Sequence, residues 1–330
     1  MYDNHNREIN YLRVSVTDRC NLRCIYCMPK EGLSPLGHKD ILSYEEILRI
    51  VTIAVKTGIV KVRLTGGEPL VRRGLVEFIS SLNKIEGLKD ITLTTNGILL
   101  ENYAEPLFQA GVRRINISLD SLNVQKYRSI TRRGDLLSVI RGIKKAESVG
   151  FSPIKINVVA IKGFNDDEIL DFAKLTAHKP YQIRFIEYMP IGDAASENGY
   201  EYLSNDTVKE ILNNFSPLER TDGQRGKADG PAQVYRMEEA VGEIGLISSM
   251  SHQFCDSCNR LRLTADGHLR VCLLSDDEAD LKSMLRSGCS DADLEVLIKK
   301  VILDKPKVAA LHCYEGQRKK CIRNMSVIGG

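Results

Sequence analysis

The chain has 330 residues, 43% hydrophobic and 27% charged, an ordinary globular composition with room for one large domain and an appendage or for two domains. Its 46 basic and 43 acidic residues leave a formal net charge of +3, which argues against bulk nucleic-acid or membrane-surface binding, so any anion site must be local. There is no apolar run of membrane-spanning length, and Met1 to Glu8 lack the basic-then-apolar pattern of an export signal; no membrane partner and a cytoplasmic location are expected.

Residues 11 to 17 alternate apolar and polar side chains, the period of a half-buried strand, and lead into Cys20-Asn21-Leu22-Arg23-Cys24-Ile25-Tyr26-Cys27. The spacing C-x3-C-x2-C lets one loop aim three thiols at one metal centre. Soft thiolates select zinc, copper(I) or iron-sulfur clusters. Zinc structural sites close with four protein ligands, and four-iron clusters usually take four cysteines. Three thiolates therefore suggest an iron left open for a non-protein ligand. The competing readings are a zinc knuckle completed from afar and thiols that are merely buried. Nine cysteines without an export signal are poorly explained as disulfides. Six form two triplets, whereas Cys289, Cys313 and Cys321 stand singly and read as packing thiols.

Ser43, followed by Glu45 and Glu46, caps an amphipathic helix that ends at Gly58. The strand 61–65 carries Lys61 and Arg63 and ends in Gly66-Gly67-Glu68-Pro69, where paired glycines permit close backbone approach to a ligand. A helix over 73–83 leads to a strand at 91–95 with an Asn96-Gly97 turn, and a helix over 101–109 to a strand at 114–119 closing on Asp120. A helical region over 123–149 breaks near Arg133-Gly134, followed by a strand at 154–160, a helix capped by Asn165-Asp166-Asp167 and a strand at 182–189. Strands separated by helical stretches imply parallel βαβ units. Six such units form an open doubly wound sheet or an incomplete barrel, which periodicity does not separate. In both, residues after the strands gather at the carboxyl edge, so the cysteine loop, Gly66 to Glu68, Thr94 to Asn96, Ser118 and Met189-Pro190 share one rim.

After Gly192 the rhythm changes: residues 193–199 are small and polar, a helix spans about 205–214, and 221–231 reads as a loop. The second triplet, Cys255, Cys258 and Cys272, is C-x2-C-x13-C and lacks the second pair of a zinc ribbon. His252 or His268 can complete a zinc site. Arg260-Leu261-Arg262-Leu263 and His268-Leu269-Arg270-Val271 form a hairpin around Ala265-Asp266-Gly267. Arg260 and Arg262 share a strand face, which is either a solvated face or one wall of a pocket. Lys61, Arg63 and Lys155 on barrel strands are costly to bury unpaired and point to a polyphosphate. No Walker sequence, G-x-G-x-x-G or kinase motif is present. Helices over 277–287 and 291–303 read as packing elements, and a tail from Gly316, with Arg318-Lys319-Lys320, ends in Met325-Ser326-Val327-Ile328-Gly329-Gly330. The expected division is 1–10, 11–192, 193–315 and 316–330.

C-x3-C-x2-C with Tyr26 before its last cysteine resembles the signature of the radical S-adenosylmethionine enzymes. The second triplet, the C-N-R-x-R run at Cys258 and the terminal Gly329-Gly330 are similar to those of the GTP 3′,8-cyclases of molybdenum cofactor biosynthesis. The resemblance selects an incomplete (β/α)6 barrel with a C-terminal α+β extension. It implies one 4Fe-4S cluster on Cys20, Cys24 and Cys27 that binds S-adenosylmethionine, and a second on Cys255, Cys258 and Cys272 whose open iron holds substrate. Tyr26, Gly66, Gly67, Glu68, Ser118 and Met189 match contacts with S-adenosylmethionine. Arg13, Lys61, Arg63, Thr94, Lys155, Arg260, Leu261 and Arg262 match the GTP site, with Arg13, Arg260 and Arg262 as its catalytic arginines. Asn96 and Arg184 lie near the site without an assigned role, and the Gly329-Gly330 tail is implied to reach toward it.

The activity implied is a lyase reaction. A 5′-deoxyadenosyl radical takes the 3′ hydrogen of GTP, and C3′ joins C8 to give (8S)-3′,8-cyclo-7,8-dihydroguanosine 5′-triphosphate. The implied partners are GTP, a flavodoxin or ferredoxin type electron donor and a downstream cyclic pyranopterin monophosphate synthase; a homodimer is common in the family. The rival readings are a peptide-modifying radical enzyme with auxiliary clusters and a non-catalytic iron-sulfur or zinc protein.

Overall fold

The computed structural model describes residues 1–191, 200–221, 226, 229–308 and 323–329. Its first part alternates strand and helix: β1 (Tyr11–Ser15), α1 (Tyr44–Lys56), β2 (Lys61–Thr65), α2 (Leu75–Leu82), β3 (Asp90–Thr95), α3 (Leu100–Gln109) and β4 (Arg114–Ser118). There follow α4 (Val124–Thr131), α5 (Leu136–Val149), β5 (Ile154–Ala160), α6 (Ile169–His178) and β6 (Tyr181–Glu187). The later chain forms α7 (Asn205–Phe215), β7 (Leu218–Arg220), β8 (Gln233–Met237), β9 (Glu243–Ile247), β10 (Arg260–Leu263), β11 (His268–Arg270) and β12 (Glu278–Asp280). It ends in α8 (Leu281–Arg286), α9 (Asp291–Leu303) and α10 (Met325–Ile328).

Local chemistry sets these boundaries. Ser43 and Glu46 form a capping box at the start of α1, each side chain accepting from the other's backbone N–H, and Gly58, at φ +103°, stops the helix in the left-handed region that favours glycine. The expected helical break falls where Arg132 adopts φ +61°, and Asp135 then caps α5 through the N–H groups of Leu137 and Ser138.

The twelve strands form one open sheet in the order β12-β11-β10-β1-β2-β3-β4-β5-β6-β9-β8-β7. Strands β1 to β6 are parallel neighbours in sequence order, the incomplete (β/α)6 barrel. The later strands are not a detached layer. β10 pairs in parallel with β1, setting Tyr11 opposite Arg260 and Arg13 opposite Arg262, while β9 pairs in parallel with β6. Thus the extension lengthens the sheet at both free edges. The stretch expected to be a helix from 277 instead begins as β12, because Glu278 to Asp280 pair with β11 before α8 starts.

Strand periodicity separates two faces. Leu12, Val14, Val62, Leu64, Ile91, Leu93, Ile115, Ile117, Ile154, Ile156, Ile183 and Phe185 are buried in the core against the helices. The alternate positions are polar: Arg13, Lys61, Arg63, Thr92, Thr94, Asn116, Ser118, Lys155, Asn157, Gln182 and Arg184. Such barrels ordinarily fill the interior with branched apolar side chains, so a polar interior marks a space kept for a ligand.

The carboxyl end of β6 is fastened by Glu187, which is fully buried. Its carboxylate accepts from the backbone N–H of Asn205 (2.8 Å), Met250 (2.7 Å) and Ser251 (2.9 Å) and from the Ser251 hydroxyl. One side chain therefore joins β6, the start of α7 and the loop leading to Cys255. Among the described residues no helix is long and apolar enough to cross a membrane. Replacing Glu187 by Ala leaves several buried donors unpaired and is expected to lower stability by about 3 kcal/mol. A urea unfolding midpoint equal to that of the parent chain would contradict this.

Candidate active site

The polar inner face and the strand ends enclose a cavity of about 320 Å³. Cys20, Cys24 and Cys27 lie on one wall and Cys255, Cys258 and Cys272 on another, all six with free thiols. Arg13, Arg63, Arg184, Arg260 and Arg262 line the same space. So do Tyr26, Gly66, Gly67, Glu68, Ser118 and Met189. Thr94, Asn96 and Asp120 complete the rim.

The first cysteine loop is a compact turn. Cys27 donates its N–H to the Cys24 carbonyl (2.9 Å), and the N–H groups of Arg23 and Ile25 donate to the end of α4 at Thr131 (3.0 Å) and Ile130 (2.9 Å). Burial pushes the Cys20 thiol up to about 11 and Cys27 to about 12, and raises Cys24 well above the usual thiol range, with the neighbouring thiols and Asp120 adding to Cys24 and Cys27. Three crowded thiols that disfavour negative charge are suited to a cationic iron centre that displaces their protons. Among the described residues no three His, Cys, Asp or Glu side chains are gathered tightly enough to chelate a single ion; a four-iron cluster takes its thiolates at separate corners.

Beside this loop the paired glycines do more than admit a ligand. A Cβ on Gly66 would stand 2.4 Å from the Thr17 carbonyl oxygen and one on Gly67 2.4 Å from that of Arg19. The first close approach is therefore to the chain leading into the cysteine loop, fastened by Gly67 N–H to Thr17 O (2.7 Å) and Glu68 N–H to Arg19 O (2.8 Å). The Glu68 carboxylate accepts from Leu70 N–H (3.0 Å), Asn96 N–H (2.7 Å) and the Thr95 hydroxyl (2.7 Å), yet burial pushes it up to about 7. The Tyr26 hydroxyl donates to Asp120 (2.6 Å), whose other oxygen accepts from Val159 N–H (2.8 Å), and burial pushes Asp120 up to about 6. The Asn96 amide donates to Asn21 within the cysteine loop (2.7 Å). The Thr94 hydroxyl and the Asn157 side-chain amide oxygen Oδ1 are buried at the cavity without a hydrogen-bond partner. Unsatisfied polar atoms of this kind call for a bound group. Asn157 was invisible as a site residue in the sequence, although its parity with Lys155 puts it on the inner face.

The second wall has the opposite electrostatics. Burial would raise the Cys258 thiol, but the Arg260 guanidinium and the Lys305 ammonium outweigh it and bring Cys258 down to about 6. Arg260 lies 3.9 Å from the Cys258 sulfur and over the Phe254 ring. Arg262 donates to the Gly329 carbonyl (2.7 Å), while burial and then Arg260 bring it down to about 10. Burial and then Arg262 hold Arg13 well below the usual arginine range. Gly329 itself packs on Ser15 and Thr65, where a Cβ would meet Thr65 at 2.6 Å.

Three expected contact residues do not line the cavity. Leu261 is packed in the apolar core, opposite in parity to Arg260 and Arg262. Lys61 is buried at the amino end of β2, 3.1 Å from Asp90 and over the Tyr11 ring. Lys155, half-buried on β5, is brought down to about 6 by burial and then by Arg184, Arg63 and Arg114. Neither zinc-completing histidine reaches the site: His252 is exposed beside Asp206 (2.8 Å) and His268 lies against Asp266 (3.4 Å). Cys289 packs against the core. Gly192, residues 193–199, Cys313, Arg318-Lys319-Lys320, Cys321 and Gly330 lie outside the described residues.

The raised carboxyls predict a pH effect. At low pH Glu68 is protonated in the folded and unfolded chain alike; as pH rises the unfolded chain loses this proton first, so stability falls until about 7. Asp120 behaves likewise only up to about 6. Lys155 and Cys258, both brought down to about 6, act in the opposite sense, so the Glu68 contribution is read as a difference: without iron, the urea midpoint of the parent chain minus that of Glu68→Gln is expected to fall between pH 6 and 7. Equal slopes in both chains would contradict the assignment.

Residues 14–176 match the radical SAM superfamily model, and residues 181–311 match the model for molybdenum cofactor synthesis C. The chain is 50% identical over 331 residues to the GTP 3′,8-cyclase of Thermodesulfovibrio yellowstonii, covering 100% of both chains. It is 47% identical to the GTP 3′,8-cyclase of Alkaliphilus oremlandii, again over 100% of both, and 47% identical to that of Listeria monocytogenes over 99% of this chain and 98% of the relative. Among solved structures, Streptococcus suis SuiB bound to S-adenosylmethionine superposes with a TM-score of 0.62 at 15% identity, covering 97% of this chain and 77% of SuiB. SuiB bound to the precursor peptide SuiA gives 0.62 at 16% identity, covering 98% and 77%. These two likenesses show the fold alone. The full-length identities and the paired domain models show that the chain belongs to the radical SAM superfamily and, within it, to the family of the GTP 3′,8-cyclases.

Proposed function

We propose that this protein is a radical S-adenosylmethionine lyase that converts GTP to (8S)-3′,8-cyclo-7,8-dihydroguanosine 5′-triphosphate, the first step of molybdenum cofactor biosynthesis. The observation that carries the reading is a single cavity walled by both cysteine triplets, with Arg13, Arg260 and Arg262 beside the second. Cys20, Cys24 and Cys27 hold one 4Fe-4S cluster, and Tyr26, Gly66, Gly67, Glu68, Ser118 and Met189 hold S-adenosylmethionine against it. Cys255, Cys258 and Cys272 hold a second cluster on the substrate side. When bound, the first cluster and S-adenosylmethionine supply the one-electron chemistry that removes the 3′ hydrogen of GTP; the protein supplies position and enclosure.

The chain's own residues divide that work. Planar guanidinium groups suit phosphate and the purine carbonyl alike, and Arg13, Arg63, Arg260 and Arg262 gain a counter-charge when GTP enters. Such preorganised donors stabilise charge without rearrangement at the moment of reaction. Thr94 gives its unused hydroxyl to the nucleotide. Lys61, set back from the cavity, stays paired with Asp90, Lys155 takes up a proton as the nucleotide's charge enters, and Leu261 acts by holding its neighbouring arginines on the open face. The Arg262 bond to Gly329 supports the reading that the glycine tail serves the substrate side. A flavodoxin or ferredoxin type protein supplies the electron, and a cyclic pyranopterin monophosphate synthase takes the product.

After anaerobic reconstitution, incubation with S-adenosylmethionine, reductant and GTP is expected to give 5′-deoxyadenosine and the cyclised nucleotide. Formation of 5′-deoxyadenosine with a peptide but not with GTP would replace the reading by peptide modification, and a chain that binds only zinc would remove it. Arg260→Ala is expected to lower kcat/KM for GTP by roughly 100-fold, as for loss of one preorganised donor, with iron content unchanged. A kcat/KM equal to that of the parent chain would contradict the role of Arg260.

A further inference from the structure

Residues 1–10 carry no motif, yet they contain one of the more heavily bonded side chains in the structure. Arg7, 6% exposed, pairs with Asp3 at 2.7 Å. Its guanidinium also donates to the carbonyls of Cys255 (2.8 Å), Lys305 (3.2 Å), Pro306 (2.7 Å) and Lys307 (3.1 Å). Asn10, buried as well, accepts from the Asn259 amide (2.9 Å), and the Asn259 carbonyl accepts the N–H groups of Asn10 and Tyr11 (3.2 Å each).

Lys305, 3% exposed and just beyond α9, approaches from the other side. Its ammonium donates to the carbonyls of Arg260 (3.0 Å) and Val271. Each cysteine of the second triplet is thus held at its own residue or within two of it by a buried polar group: Cys255 by Arg7, Cys258 through Asn259 and Arg260, Cys272 through Val271. Arg7 also fastens the Lys305 carbonyl, so the amino-terminal segment and the stretch after α9 interlock behind the triplet.

We propose that Arg7, Asn10 and Lys305 are positioning residues of the second cysteine triplet, and that the buried Lys305 ammonium raises the reduction potential of the cluster it holds, the charge of Arg7 being balanced by Asp3. The inference rests on the reading that this triplet carries a cluster. A cluster held by thiolates gains negative charge on reduction, and its potential follows net charge, hydrogen bonding and solvent exposure. The first triplet has Glu68 and Asp120 beside it on the same cavity wall, so the two sites differ in the sign of the charge nearest to them. Within one small cavity, this arrangement makes the substrate-side cluster the easier of the two to reduce.

The test uses the full-length chain carrying Cys24→Ala, which disables the first site and leaves the second intact. Into it are placed Lys305→Met, Lys305→Arg and Arg7→Gln, and iron content, the electron paramagnetic resonance signal and the midpoint potential are compared. Lys305→Met is expected to shift the reduction equilibrium at least tenfold toward the oxidised cluster, about 59 mV for a one-electron couple, and Arg7→Gln to lose iron while the circular dichroism spectrum is unchanged. Lys305→Arg, which keeps the charge, is expected to stay within that margin. Equal iron and equal potentials in the parent, Lys305→Met and Arg7→Gln chains would overturn the inference. If Lys305→Met does not fold, Arg7→Gln decides by its iron content. A parent chain that binds no iron at its second triplet would instead overturn the cluster reading itself.

Discussion

The structure depends on a like-charge problem inside the barrel. Strand parity turns Arg13, Lys61, Arg63, Lys155 and Arg184 inward, and the parallel pairing of β10 with β1 adds Arg262 directly opposite Arg13. Burial and mutual repulsion weaken the charged forms, which is why Lys155 is brought down to about 6 and Arg262 to about 10. Part of the charge is met within the protein: Lys61 by Asp90, and Arg184 by the side-chain oxygens of Gln182 and Asn116. Arg262 donates to the Gly329 carbonyl at the same place.

The two ends of the cavity solve opposite problems with the same ligand type. At the first triplet, burial and neighbouring groups, Asp120 among them, favour the protonated thiols. At the second, Arg260 and Lys305 favour the Cys258 thiolate before anything binds. Glu187 connects the halves mechanically, since it closes β6 two residues before Met189 and bonds to the loop that leads to Cys255. The end of β6 near Met189 and the loop leading to Cys255 therefore share one buried carboxylate.

The six-strand alternation, the two triplets and the paired arginines were legible because each has a short-range signature: period two, fixed cysteine spacing, or i, i+2 placement. Parity also held the answer for Leu261, which must face away if its two neighbours face in. The parallel pairings of β10 with β1 and β9 with β6 join residues far apart in the chain, and nothing local announces them. Glu187, Arg7 and Lys305 escaped for a related reason. A single buried polar residue that bonds to distant carbonyls or amides leaves no periodic trace, and only the folded chain shows what surrounds it. The same limit applied to Lys61, whose strand position was readable but whose pairing with Asp90 was not.

The central claim is that both cysteine triplets serve one reaction space in which the 3′ position of GTP meets the bound S-adenosylmethionine. It is tested most directly with GTP deuterated at C3′, following the label by mass spectrometry under anaerobic turnover. The account requires deuterium to appear in 5′-deoxyadenosine and to be absent from C3′ of the cyclised nucleotide. Unlabelled 5′-deoxyadenosine, formed while the nucleotide keeps its deuterium, would contradict it.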